Sequence, residues 1–164
     1  MVKIGVISDT HIPARADSVP QEVLSLFKDV DMIIHAGDIT QISVLDQLRA
    51  LAPVHAVCGN MDGADLKHIL PQKKIIEVEN KRIGIYHGGG APFGLKKRIR
   101  HMFRYNDVDC IVFGHTHQAE NKHHKGILFF NPGSATDKIF SKTQSIGLLF
   151  VDRFKDIRGE IISF

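Results

Sequence analysis

Tryptophan is absent from this chain, and tyrosine and cysteine occur only twice each. Cys58 and Cys110 lie far apart in apolar segments without CxxC spacing, which argues against a disulfide framework and a closed thiolate zinc site. They read as buried reduced thiols, and the expected compartment is the cytoplasm. No apolar run approaches the ~18 residues of a membrane helix, and the chain begins with a strand pattern rather than a signal peptide, so no membrane association is expected. A large surplus of one charge is missing too. The formal net charge of +3 is too small to indicate nucleic acid by itself. What remains is an ordinary globular composition, and 164 residues suffice for a single domain over 1–164 with one sizeable core. Ten histidines are the one excess, and their positions matter more than their number.

Strand signals recur at short intervals in VKIGVIS, DMIIHAG and PVHAVCG. Between the first two, Ser18 and Pro20 read as the N-cap and first-turn proline of a helix through QEVLSLF. Between the second and third, Val44, Leu45, Leu48 and Leu51 share one helical face. This βαβαβ order implies parallel strands with right-handed crossovers. The pattern then changes. KKIIEVENKRIGIYH reads as a hairpin turning at Asn80-Lys81. LKKRIRHMFRY reads as a helix with Leu95, Ile99, Met102 and Phe103 at helical spacing, and DCIVFG as a buried strand. The last third is strand-rich: Glu120–His124, ILFFN, IGLLFVD and GEIISF, with turns at Lys125-Gly126, NPGSAT and DRFKD. An α/β half and a strand-rich half sharing one core predict two stacked sheets with helices outside.

Five of these strands end alike, in an apolar run followed by residues of metal-ligand type. The tips are Asp9-Thr10-His11, Gly37-Asp38, Gly59-Asn60-Met61-Asp62, His87-Gly88-Gly89 and Gly114-His115-Thr116-His117. In open α/β sheets ligands bind beyond the carboxyl ends of the strands, so these loops can converge although they span more than a hundred residues. Taken singly, each tip could be a turn or a cap. Taken together, so many polar groups beside a core would cost about 1–3 kcal/mol apiece unless something satisfied them. A metal cluster would.

The ordered motifs DTH, GD, GNMD, HGG and GHTH resemble those of the calcineurin-like metallophosphoesterases. HIPAR and NPGSAT resemble the small branch that contains prokaryotic phosphodiesterases and the phosphoesterase-fold subunit of the retromer complex. The resemblance implies a four-layer α/β fold, with two stacked mixed β-sheets flanked by helices. It also implies two divalent ions, the first held by Asp9, His11, Asp38 and His117 and the second by Asp38, Asn60, His87 and His115, with Asp38 bridging. Carboxylate, imidazole and amide donors suit Mn²⁺, the first expectation, and also Fe²⁺, Ni²⁺, Co²⁺ or Zn²⁺. The implied activity is phosphodiester hydrolysis by a metal-bridging hydroxide, with Asp38, Asn60 and Asp62 as catalytic candidates. Arg15 and Ser134 are weaker candidates for touching substrate.

Two departures stand out. The middle of GN-H-(E/D), where relatives carry a proton-donating histidine, is Met61, and the family's HGH is His87-Gly88-Gly89. The first removes a general acid, typically worth about 10²–10⁴-fold, and favours diesters with good leaving groups. Met61 also keeps open a catalytically weak protein-interaction scaffold like the retromer subunit, and a nuclease differs only in substrate. The expected partner is a small phosphoester. The basic stretch 96–104 reads first as a solvated helix face and second as a footprint for a nucleotide or nucleic acid, and a homo-oligomer is open. His35 and His55 are expected as satisfied strand residues, and His123 and His124 as exposed ones.

Overall fold

The structure, a computed structural model, describes residues 1–141 and 143–164. In chain order its elements are β1 (Val2–Ile7), α1 (Gln21–Leu26), β2 (Met32–His35), α2 (Ile42–Arg49), β3 (Val54–Ala56), α3 (Ala64–Ile69), β4 (Lys73–Val78) and β5 (Lys81–Tyr86). They continue with α4 (Leu95–Met102), β6 (Cys110–Val112), β7 (Glu120–His124), β8 (Ile127–Asn131), β9 (Ser145–Val151) and β10 (Arg158–Ser163). Two mixed five-stranded sheets result, ordered β10-β9-β1-β2-β3 and β4-β5-β6-β8-β7. In the first, β1, β2 and β3 run parallel and β9 and β10 pair antiparallel. In the second, β5, β6 and β8 run parallel between antiparallel β4 and β7.

Period-2 alternation builds four layers from these strands. One face of the first sheet, with Ile7, Ile33, Ile146 and Leu148, packs against Val23 and Phe27 below α1 and against Val44, Leu45 and Leu48 of α2. The other face, with Ile4, Val6, Ile34, Leu149 and Val151, meets Ile83, Ile85, Cys110, Val112, Leu128 and Phe130 of the second sheet. On the far side of that sheet, Leu95, Ile99 and Phe103 of the α4 segment cover Ile111, Phe113 and Phe129. Both cysteines are free and buried. No helix among the described residues is long and apolar enough to cross a membrane.

Three local expectations change. Ser18 makes no cap; α1 begins after Pro20, which lies in extended backbone and offers no side-chain oxygen. The β4–β5 turn falls on Glu79-Asn80 rather than Asn80-Lys81. Both residues have positive φ, 50° and 64°, as a two-residue hairpin with the favoured twist requires, and Lys81 is already paired with Val78. Helix α3 has no counterpart in the sequence reading, since only Leu66 of its six residues is buried and Gly63 gives no capping signal.

The sheets lock together through Phe130. Its fully buried ring enters a slot in the first sheet where Gly147 of β9 and Gly159 of β10 replace side chains, and a Cβ on Gly147 would lie 2.3 Å from the ring. Gly147→Ala is expected to lower stability by about 1–3 kcal/mol through overpacking. Phe130→Leu in the same chain should recover part of that loss. Urea unfolding of the single and double variants checks this; equal midpoints for wild type and Gly147→Ala would contradict the lock.

Candidate metal centre

The five tips predicted from the sequence lie at the carboxyl ends of β1, β2, β3, β5 and β6, the parallel strands facing one another across the two sheets. Asp9, His11, Asp38, His115 and His117 all adopt positive φ, between 42° and 72°. Such backbone costs of order 1–3 kcal/mol per residue and persists only where the surroundings impose it. Here main-chain bonds impose it: the Asp9 N–H donates to Gly37 O at 3.0 Å and the His11 N–H to Asp38 O at 3.1 Å. Two glycines leave room for carboxylates. A Cβ on Gly59 would lie 2.1 Å from Asp38 Oδ1, and one on Gly114 would lie 2.6 Å from Asp9 Oδ2.

Asp9 is fully buried, and its two oxygens are treated differently. Oδ2 accepts from the Ser8 hydroxyl at 2.5 Å and from the His115 N–H at 3.1 Å. Oδ1 faces Nε2 of His117 at 3.3 Å, of His11 at 3.8 Å and of His87 at 3.9 Å. Asp38 Oδ2 lies 3.2 Å from His87 Nε2 and 3.6 Å from His11 Nε2, while its Oδ1 accepts from the Met61 N–H. Two donor groups result, Asp9–His11–His117 and Asp9–Asp38–His87, each with ligand atoms within 4.8 Å of one another.

Does this set fit a cation? His87 decides it. Its Nδ1 is 2.7 Å from Ala36 O and must carry the hydrogen, which leaves a lone pair on Nε2. That buried Nε2 has no hydrogen-bond partner, although Asp38 Oδ2 lies 3.2 Å away. Burial disfavours the charged ring, yet the Asp38 and Asp9 carboxylates outweigh it and raise the His87 pKa. His117 behaves alike: against burial, Asp9 and Asp137 push its pKa up to about 9. Asp38 is held below the usual carboxylate range because His87, despite the cost of burial, favours its anion. The pocket attracts positive charge, and its oxygen and nitrogen donors fit a divalent ion of the borderline class.

Asn60 and His115 arrive beside this cluster without joining it. His115 Nδ1 lies 3.0 Å from Asn60 Oδ1 and its Nε2 2.8 Å from Gly90 O, with its ring 5.5 Å from that of His87. Asp62 has no oxygen to spare for chemistry. Oδ2 accepts from the N–H groups of Gly59 and Asp38 at 2.7 and 3.1 Å, and Oδ1 from that of Thr40 at 2.7 Å. It ties the β2 and β3 tips together through these three bonds. Ser134 is fully buried, donating to Asp9 O at 2.7 Å and accepting from the Asp137 N–H at 3.0 Å. Arg15 stays on the rim, 4.0 Å from Asp137 and 5.3 Å from the centre of the Phe140 ring.

Two supporting residues escaped the sequence reading, and a third, His35, is satisfied as expected and supports the site as well. Asp137, directly after NPGSAT, accepts from His117 Nδ1 at 2.5 Å and from the Ile139 N–H at 2.8 Å, which fixes the imidazole so that Nε2 faces Asp9. Ser8 fixes the Asp9 carboxylate. His35, expected only as a satisfied strand residue, accepts from the Gly37 N–H and bonds Thr10 at 3.1 Å; burial lowers its pKa to about 3 and keeps it neutral. His55 departs from expectation, since its Nδ1 is buried without a partner.

Stacked mixed sheets with Asp and His donors at the parallel strand tips define the metallophosphoesterase class. The chain belongs to the calcineurin-like phosphoesterase superfamily, whose domain model matches residues 2–153. A probable metallophosphoesterase of Methanothermobacter thermautotrophicus is 41% identical over 136 residues, 81% of this chain and 77% of that one. Two solved structures share the whole fold. Vps29 of Entamoeba histolytica complexed with Zn²⁺ superposes with a TM-score of 0.79 at 28% identity, covering 98% of both chains. A novel archaeal phosphodiesterase superposes with a TM-score of 0.76 at 25% identity, covering 98% of this chain and 99% of that one.

Asp137→Asn should weaken Mn²⁺ binding about 10–100-fold by freeing the His117 ring. Calorimetric titration checks this, and an unchanged affinity would contradict the orienting part given to Asp137.

Proposed function

We propose that the chain is a phosphodiesterase working with two divalent metal ions, Mn²⁺ first among them. The observation that carries this is His87 Nε2: a buried, unpartnered lone pair facing two carboxylates in a ring of imidazoles. Asp9, His11, Asp38 and His117 would hold one ion, and Asp38, Asn60, His87 and His115 the other, once His115 leaves Gly90 O. When bound, such ions lower the pKa of a shared water towards ~7 and clamp phosphoryl oxygens. The zinc-bound Vps29 and the archaeal phosphodiesterase support metal and activity by similarity.

The chain's own residues set the rest. Two aspartates against two divalent ions leave the centre positive and ready for a phosphoryl anion. Arg15, with its side chain 26% exposed on the rim beside Asp137, would meet a phosphate oxygen. Met61 is 61% exposed and has no proton to give, so the leaving group must depart unassisted there. Aryl diesters satisfy that demand. Met61 and the likeness to Vps29 favour a second reading, a scaffold of weak activity.

The metal-loaded protein should hydrolyse bis-aryl phosphate, lose the activity to chelator and regain it with Mn²⁺. Asp38→Ala and His117→Ala should each lower the rate at least ~100-fold, since each removes a ligand. Stoichiometric metal without hydrolysis would favour the scaffold. Met61→His should raise the rate on alkyl esters by up to about 10²-fold in steady-state assays; no change would place the proton donor elsewhere.

A further inference from the structure

The net charge of +3 hides a segregation. Residues 80–106 contain seven Lys and Arg and neither Asp nor Glu, so the rest of the chain carries a net −4. This segment contains α4, whose apolar side is already used against the second sheet by Leu95, Ile99 and Phe103. Lys96 pairs with Glu120 at 2.8 Å. Lys97, Arg100 and Arg104 are exposed, and among the described residues no carboxylate lies within 4.0 Å of them.

Their stems border a groove of about 1160 Å³ between α4 and the β7–β8 turn, with Lys125 on the facing wall and Tyr86 and Phe129 among its lining. Tyr86 also lines a second pocket of about 460 Å³ that includes Gly88, Lys67 and Asn60, so the basic groove runs up to the metal-ligand loops. Arg98 is a different kind of cation. It donates to the carbonyls of Gly89, Ala91 and Phe93 and pins the loop between His87 and α4. Exposed aromatic rings flank the helix, Phe93 at 94% before it and Tyr105 at 86% after it.

We propose that this groove and the helix ends beside it bind single-stranded nucleic acid, its phosphates against Lys97, Arg100 and Arg104 and its bases on Phe93 and Tyr105, which stand outside the groove's lining. Cations beside exposed rings are what a single strand requires, since backbone charge gives affinity and every base has a face to stack. An anionic membrane fits less well, because an interfacial helix needs an apolar face to insert and that of α4 is buried. The proposal deepens the phosphodiesterase reading by naming an oligonucleotide as substrate, but binding stands or falls separately from catalysis.

Fluorescence anisotropy with labelled twelve-nucleotide RNA and DNA strands tests it, with phosphatidylglycerol vesicles as a third arm. Three phosphate contacts predict about a twentyfold loss of oligonucleotide affinity between 50 and 200 mM salt. Lys97→Gln/Arg100→Gln/Arg104→Gln should bind at least tenfold more weakly with a flatter salt dependence, and its hydrolysis of bis-aryl phosphate should match wild type. A preference between the two strands identifies the natural sugar and supports the proposal. Absence of oligonucleotide binding at 50 mM salt, binding untouched by the triple change, or association with vesicles alone would overturn it. Aryl diester hydrolysis by the same preparation would show that the phosphodiesterase reading survives that failure.

Discussion

Lone pairs that repel one another are held at one point of this molecule, and everything else near the strand tips serves to keep them there. Asp9 Oδ1 faces three imidazole nitrogens between 3.3 and 3.9 Å, and Asp38 Oδ2 faces two of them. Without a positive charge among them such a cluster is unfavourable, because buried carboxylates lose water there and His87 Nε2 gains no hydrogen bond. A proton can supply that charge, as the raised pKa values of His87 and His117 indicate. A divalent ion supplies more of it and satisfies several donors at once.

The frame resists the repulsion by using backbone donors. Asp62 gathers three N–H groups from two strand tips, Ser134 ties the last loop to Asp9 O, and Asp137 holds His117 from behind. Each of these bonds fixes a residue of the cluster or the loop that carries it. Orientation of this kind is what separates a bound cation from a loose carboxylate patch. The positive φ angles at Asp9, His11, Asp38, His115 and His117 belong to the same economy: strain is concentrated at the strand tips, where the chain turns its polar side chains together.

How much of this was legible in the sequence follows from distance along the chain. Asp9 and His11 directly follow a strand, as do the other tips, so local pattern revealed both the strand and the ligand type. The parallel order of β1, β2 and β3 followed from alternating strand and helix signals, and the α4 apolar face from its spacing. The bonds of Ser134 and Asp137 were hidden because their partners are 125 and 20 residues away. A serine in a Pro-Gly turn looks the same whatever its hydroxyl meets. For Asp62 the motif marks the position, while only the fold shows that both its oxygens accept backbone N–H groups. Helix α3 was silent because one buried leucine makes no periodicity.

The charge distribution adds a division of labour to this picture. The tips of the first sheet bring two carboxylates into a cation-seeking pocket, and the helix that covers the second sheet displays uncompensated cations. Both features would draw phosphate, one for chemistry and the other for binding. The pocket is the foundation, and anomalous scattering from crystals soaked in Mn²⁺ tests it most directly. Two stoichiometric peaks, one bounded by Asp9, His11, Asp38 and His117 and the other by Asp38, His87 and the Asn60 and His115 side chains, are the expected result. Fully occupied protein sites with no ion there, at millimolar Mn²⁺ and neutral pH, would contradict it.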